Sequence, residues 1–125
     1  MKRGDLWWAR LDERAPIVLL SEATAGEWRA MRIVAPATDA EKRGFVILSG
    51  EEALDLRGTD PSGIEVAIGV GEFQGVVRVG LPQDGRVFCT WELTAGPGDL
   101  IERVGALPPA KLAQLHNALR LAGLE

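Results

Sequence analysis

The sequence predicts a β-rich α+β domain: a small barrel of short strands with one helix closing a side at the C-terminus. Three observations carry that prediction. Short apolar runs recur at close spacing up to about residue 95, as a small barrel requires. Pro82-Gln83-Asp84-Gly85 separates two β-rich runs, Val76 to Leu81 and Arg86 to Leu93, and Asp-Gly in that place signals a hairpin. After Pro108-Pro109 the apolar period changes: Leu112, Leu115, Leu119 and Ala122 stand at i, i+3, i+7 and i+10, along one helical face.

The elements follow in order. Gly4 to Leu11 reads as a first strand, bounded by a glycine and a charged turn. Ala15 to Ser21 is a continuous apolar run that suits a buried strand. Met31 to Ala37 is a third, with Pro36 near its end, where proline is tolerated. Phe45 to Leu48 makes a short fourth, and Ile64 to Val70 alternates apolar and small residues. The sequence also allows a short helix around Asp99 to Arg103. Proline at the start of the C-terminal helix and Gly123 near its end match the usual asymmetry of helix ends. Arg57 to Gly63 is the clearest loop.

The chain has 125 residues, enough for one domain that buries about two-thirds of its extended surface. With one His and one Cys, it has too few such residues for a Cys/His zinc site, and no intrachain disulfide can form. The apolar runs fall far short of the ~20 residues that span a bilayer, and no signal peptide opens the chain. A cytoplasmic protein without membrane association is expected. The net charge of −4 argues against broad non-specific nucleic-acid binding. Residues 1–43 nevertheless hold eight basic against seven acidic residues, which leaves room for a local basic site.

Most candidate chemistry has a plain alternative. His116 has no carboxylate at i±3 or i±4 to orient it as a base. Cys89, inside Val87-Phe88-Cys89-Thr90-Trp91, reads as a buried small hydrophobe. The glycines of Gly69 to Gly75 miss the spacing of a phosphate loop by one residue. Arg3-Gly4-Asp5 spells an adhesion tripeptide, but Gly4 and Asp5 equally suit a tight turn at a strand start. Trp7 and Trp8 point to opposite faces of their strand, one toward the core and one partly exposed. Arg14 and Thr38 stand out as a pair. They flank the second and third strands and can reach one end of a barrel if those strands are neighbours. An arginine offers bidentate contact to phosphate and a threonine one further hydrogen bond. The plain alternative is a rim salt bridge and a turn threonine.

Four motifs, in order, resemble the MazF/PemK family of toxin endoribonucleases. Arg3-Gly4-Asp5-Leu6-Trp7 is similar to the family's R-G-D-[IVL]-[WY] opening. Arg14-Ala15-Pro16-Ile17-Val18-Leu19-Leu20-Ser21 is similar to its R-P-x-[VI]-[VL]-x-S strand, and Val34-Ala35-Pro36-Ala37-Thr38 to its V-x-P-[IVA]-T. Glu102-Arg103-Val104-Gly105-Ala106-Leu107-Pro108 and Ala118-Leu119-Arg120-Leu121-Ala122 resemble its ending. The resemblance implies an SH3-like antiparallel barrel with a C-terminal helix, acting as a homodimer. It implies cleavage of single-stranded RNA at short sequences, without metal or cofactor, and neutralisation by a cognate antitoxin protein. Arg14 and Thr38 inherit the catalytic roles, and Arg10, Lys42, Arg43 and Glu92 are the expected RNA contacts.

The chain departs from the pattern in several places. Ala15 separates Arg14 from Pro16, and a one-residue shift in a strand turns a side chain to the other face unless a loop or bulge intervenes. The loop between the first two strands is only Asp12-Glu13-Arg14, and residues 39–63 read as an insertion at the barrel edge. The family's acidic Asp-[QN] step appears as Trp91-Glu92. The alternative function is a non-catalytic protein of the same fold that binds a protein partner, as a gyrase poison or a regulator does.

Overall fold

The computed structural model describes all 125 residues except Thr59, Asp84 and Arg86. Its strands are β1 (Asp5–Arg10), β2 (Arg14–Thr24), β3 (Glu27–Val34), β4 (Ile47–Ser49), β5 (Gly63–Val70), β6 (Phe73–Gly80), β7 (Glu92–Ala95) and β8 (Leu100–Ala106). Two helices, α1 (Asp39–Lys42) and α2 (Pro109–Leu121), complete the set with two one-turn 3₁₀ segments, Glu52–Asp55 and Pro97–Asp99. The architecture is mainly β, barrel-like, with one C-terminal helix, as the sequence predicts.

Five strands run antiparallel in the order β7-β3-β2-β1-β8. β7 and β8 stand at opposite ends of that order yet follow each other in the chain. The 3₁₀ turn Pro97–Asp99 joins them, closed by the Asp99 carboxylate accepting the Gly96 N–H at 2.8 Å, so the sheet curls on itself. The C-terminal end of β3 leaves this sheet and pairs Ile33 and Val34 with Val77 and Val76 of β6. β6 forms a hairpin with β5, and β4 lies along β5 in parallel, the one departure from antiparallel pairing among the described residues.

β2 is apolar on both sides because both its faces are covered. Val18 and Leu20 point into the main core with Leu6, Met31, Phe73 and Leu115. Ile17 and Leu19 point into a second core with Ala9, Trp28 and Ala30. Burying each such large side chain contributes roughly 1.5–3 kcal/mol. Trp7 and Trp8 do face opposite ways; each is half-buried, Trp7 against the second core and Trp8 against the main one. α2 closes the main core with Leu115, Ala118 and Leu119, while Leu112 and Ala122 of the predicted stripe are only partly covered.

Several expectations are corrected. No helix runs through residues 99–103: Asp99 ends the 3₁₀ turn and from Leu100 the chain forms β8, which satisfies the otherwise open edge of β1. Of the β-rich run expected at 86–93, the described residues form a strand only from Glu92 onward, and that strand pairs with β3 rather than returning along β6. Asp84 and Arg86, at the predicted hairpin turn, lie outside the described residues. The segment after them crosses from β6 to β3. Phe88 packs over Gly63 and Gly80, where a Cβ on either glycine would collide with it. Thr90 Oγ1 accepts the Gly80 N–H, and the Trp91 carbonyl accepts the Arg32 N–H at 2.9 Å. Cys89, on this crossing, is exposed and outside any strand rather than buried within one.

Within residues 39–63, β4 is the outermost strand, beside β5. They are also tied to the body of the protein. Ala53 and Ser62 are buried, and Asn117 of α2 donates to the Ala53 carbonyl at 3.1 Å. Thr59, within the predicted loop, is outside the described residues.

Candidate functional site

The structure distributes the six expected site residues over three places. Arg10 and Arg14 stand opposite each other across β1 and β2, with no bulge between them and the buried part of the pair. Strand alternation puts both on the face of Trp8 and Pro16, at the rim of the main core. Ala15 points the other way and is buried. Thr38, Lys42 and Arg43 gather on or beside α1. Glu92 stands apart on β7, where Arg29 Nε donates to it at 2.9 Å.

At the rim, the Arg14 guanidinium lies over the Trp8 ring, 4.4 Å from its centroid. A cation over an indole at an exposed site gains about 0.5–1 kcal/mol. The ring is itself fixed on two sides. Phe73 meets it edge-on, with centroids 4.7 Å apart and planes at 87°. Its Nε1–H donates to Glu72 Oε1 at 3.0 Å, in the turn between β5 and β6. Arg14 is therefore held by its flat face, and among the described residues no carboxylate or carbonyl takes its N–H groups. The neighbouring Glu13 pairs instead with Arg32, which stands opposite Ile17 on the other face of the sheet, its NH2 2.5 Å from Glu13 Oε1.

Thr38 has a different fate. It is the N-cap of α1: its hydroxyl accepts the Glu41 N–H at 3.2 Å, and the Glu41 carboxylate takes the Thr38 N–H at 3.1 Å. That reciprocal pair is a capping box. Glu41 is held below the usual carboxylate value, first by the Thr38 N–H and then by the nearby Arg78 charge. The segment leading to Thr38 is pinned by a buried ion pair that spacing in the sequence does not reveal. Glu65 and Arg78 face each other across the β5–β6 hairpin, each 8% exposed, with Arg78 Nε 3.1 Å from Glu65 Oε2. Arg78 also donates to the Ala35 carbonyl at 3.2 Å and stacks on Phe88. The Glu65 carboxylate accepts the Ala37 N–H.

Strand alternation on the hairpin separates the two predicted catalytic residues. Phe73, Val77 and Val79 face the main core, and with them the Trp8 rim that carries Arg14. Glu65 and Arg78 face the other way, and with them Thr38. Arg14 and Thr38 thus lie on opposite faces of the β5–β6 layer.

Lys42 lines two shallow clefts, one of about 240 Å³ with Ser49, Glu52 and Glu65, and one of about 210 Å³ with Arg43, Phe45, Asp60 and Gln83. His116 does meet a carboxylate after all: Glu125 Oε2 lies 2.8 Å from its Nδ1, and Arg3 pairs with the same Glu125. The partner comes from tertiary proximity rather than helical spacing. Asp5 is buried, accepts the Lys2 N–H at 3.1 Å and pairs with Arg103, so Arg3-Gly4-Asp5 serves the turn that starts β1. Among the described residues, no group of His, Cys, Asp and Glu is disposed to hold a metal ion, and no helix is long and apolar enough to cross a membrane.

No family model matches the chain, and no curated protein or solved structure matches it either.

Proposed function

We propose that this protein is a MazF/PemK-like endoribonuclease, cutting single-stranded RNA without metal as the cytoplasmic toxin of a toxin–antitoxin pair. The observation that carries the reading is the Arg14 rim. Its guanidinium rests on Trp8 and keeps its donors for a ligand, with Arg10 opposite. Such a rim suits a phosphate flanked by a base: the cation meets the phosphate and the ring edge meets the base. The order of the four sequence motifs supports the same reading.

In the reaction, the ribose 2′-oxygen attacks the adjacent phosphorus and the bond from phosphorus to the 5′-oxygen breaks. The products are a 2′,3′-cyclic phosphate and a 5′-hydroxyl. Arg14 stabilises the charge that builds on the phosphorane. It stays protonated and so does not serve as the base. Lys42 and Arg43, on and beside α1, form a separate basic patch away from the Arg14 rim, where a longer RNA could make further phosphate contacts. A homodimer would cover exposed apolar residues of the β6–β7 crossing, such as Trp91 at 43% exposure, through one self-complementary patch. A small antitoxin would occupy the RNA-binding surface.

A second reading, a non-catalytic binder of a protein partner, draws on Thr38. Its hydroxyl is engaged in the capping box, on the far face of the hairpin from Arg14. One experiment separates the two. Antitoxin-free protein in EDTA is incubated with a long single-stranded RNA, and the ends are mapped. The enzyme reading predicts cuts at a few short sites with 5′-hydroxyl ends. Intact RNA across diverse sequences, together with tight binding to a protein partner, assigns the chain to the non-catalytic class.

A further inference from the structure

The reaction above needs a group to take the 2′-hydroxyl proton, and no guanidinium supplies one. We propose that Glu72 is that general base, an inference that rests on the endoribonuclease reading. The Trp8 indole joins the two groups the reaction requires. Its face carries the Arg14 guanidinium at 4.4 Å, and its Nε1–H fixes Glu72 Oε1 at 3.0 Å. Phe73, adjacent to Glu72 in the chain, locks the ring edge-on. A cation for the phosphorane and a carboxylate for the proton are thus set around one rigid side chain, on the exposed rim of the main core. Oε1 is oriented by the indole, which leaves Oε2 to accept a proton.

The step balances without a further reactant. Glu72 Oε2 takes the 2′-hydroxyl proton as the 2′-oxygen bonds to phosphorus. The 5′-oxygen leaves and takes a proton from water, and the Glu72 carboxyl returns its proton to solvent. Charged groups on the Trp8 face of the neighbouring strands are Arg10 of β1, Arg14 of β2 and Glu102 of β8, which stands beside Trp8 in the register. Glu102 makes no hydrogen bond to the indole, which distinguishes it from Glu72.

The test is the pH–rate profile of RNA cutting under single-turnover conditions, with full-length protein and one fluorescently labelled RNA that the wild type cuts. Wild-type cutting should rise about tenfold per pH unit on the acid side and then level off. General-base catalysis contributes about 10²–10⁴ in rate, so Glu72→Gln should lose at least ~100-fold and its acid limb should flatten. Glu72→Asp should recover part of the rate. Trp8→Phe keeps a ring beneath Arg14 and removes the N–H, so it should lower kcat with little change in KM. Glu102→Gln should cut as the wild type does. Glu72→Gln cutting at the wild-type rate, or keeping the acid limb, overturns this inference and leaves the endoribonuclease reading standing. A wild type that cuts no RNA overturns both.

Discussion

Arg14 and Arg78 are both arginines stacked on an aromatic ring, and they differ in how much hydrogen-bonding capacity their surroundings leave them. Arg78 is 8% exposed, and its nitrogens reach the Glu65 and Glu41 carboxylates and the Ala35 carbonyl. Arg14 is exposed and, among the described residues, held only through its face, by Trp8. A buried arginine with all three side-chain nitrogens engaged fixes the backbone around it. An arginine held by its face is oriented without losing its hydrogen-bonding capacity. The first kind has little hydrogen-bonding capacity left over, and the second keeps most of its own.

That contrast can be broken most sharply at Glu65. Removing one partner of a buried ion pair leaves an uncompensated charge, at a cost of about 3–5 kcal/mol. Glu65→Ala should therefore lower the urea unfolding midpoint severely, whereas Arg14→Ala should shift stability by under about 1 kcal/mol, the worth of its ring contact. Equal destabilisation by both would show that Arg14 is also structural.

Thr38→Ala should cost about 0.5–1 kcal/mol in the same assay, as the loss of an N-cap side chain does. The capping box also predicts a direction with pH. Glu41 has a folded-state pKa below its usual value of 4.5. Its contribution to stability is therefore full above 4.5 and is lost as pH falls through the lower folded value. Urea midpoints measured from about pH 6 to about pH 3 should show this acid loss, and Thr38→Ala should reduce it. The smallest effect concerns Lys42 and Arg43. If both touch RNA phosphates, replacing both by Ala should flatten the salt dependence of RNA binding by about one to two units of slope. An unchanged slope would assign them to the solvated surface of α1.

The fold was legible where local pattern and tertiary demand agree. The apolar run of β2, the change of period at Pro108 and the turn at Gly4-Asp5 each carry their structure in a few residues. The hairpin at Asp84-Gly85 misled because the glycines that decide the path of the next segment are distant. Gly63 and Gly80 receive Phe88, and that contact draws the chain off β6 toward β3. The helix allowed at Asp99 to Arg103 lost to the open edge of β1, which no local window shows. At the site, the sequence singled out Arg14 and Thr38 but not what surrounds them. Trp8 and Glu72 are 64 residues apart, and Glu65 and Arg78 meet only because the β5–β6 register sets them opposite each other. The Thr38 hydroxyl caps a turn, as the plain alternative has it, whereas Arg14 makes no salt bridge among the described residues; the Arg32–Glu13 pair stands on the other face of the sheet.

The central claim is that the Arg14 rim, rather than the Thr38 face, does the chemistry. The most direct measurement compares single-turnover RNA cutting by wild type, Arg14→Ala and Thr38→Ala, each shown to be folded by its urea midpoint. Loss of a charge-stabilising group commonly costs about 10²–10³ in rate. The account predicts that Arg14→Ala falls by that factor and that Thr38→Ala falls by far less. Cutting that survives Arg14→Ala, or that is lost equally in Thr38→Ala at unchanged stability, would contradict it.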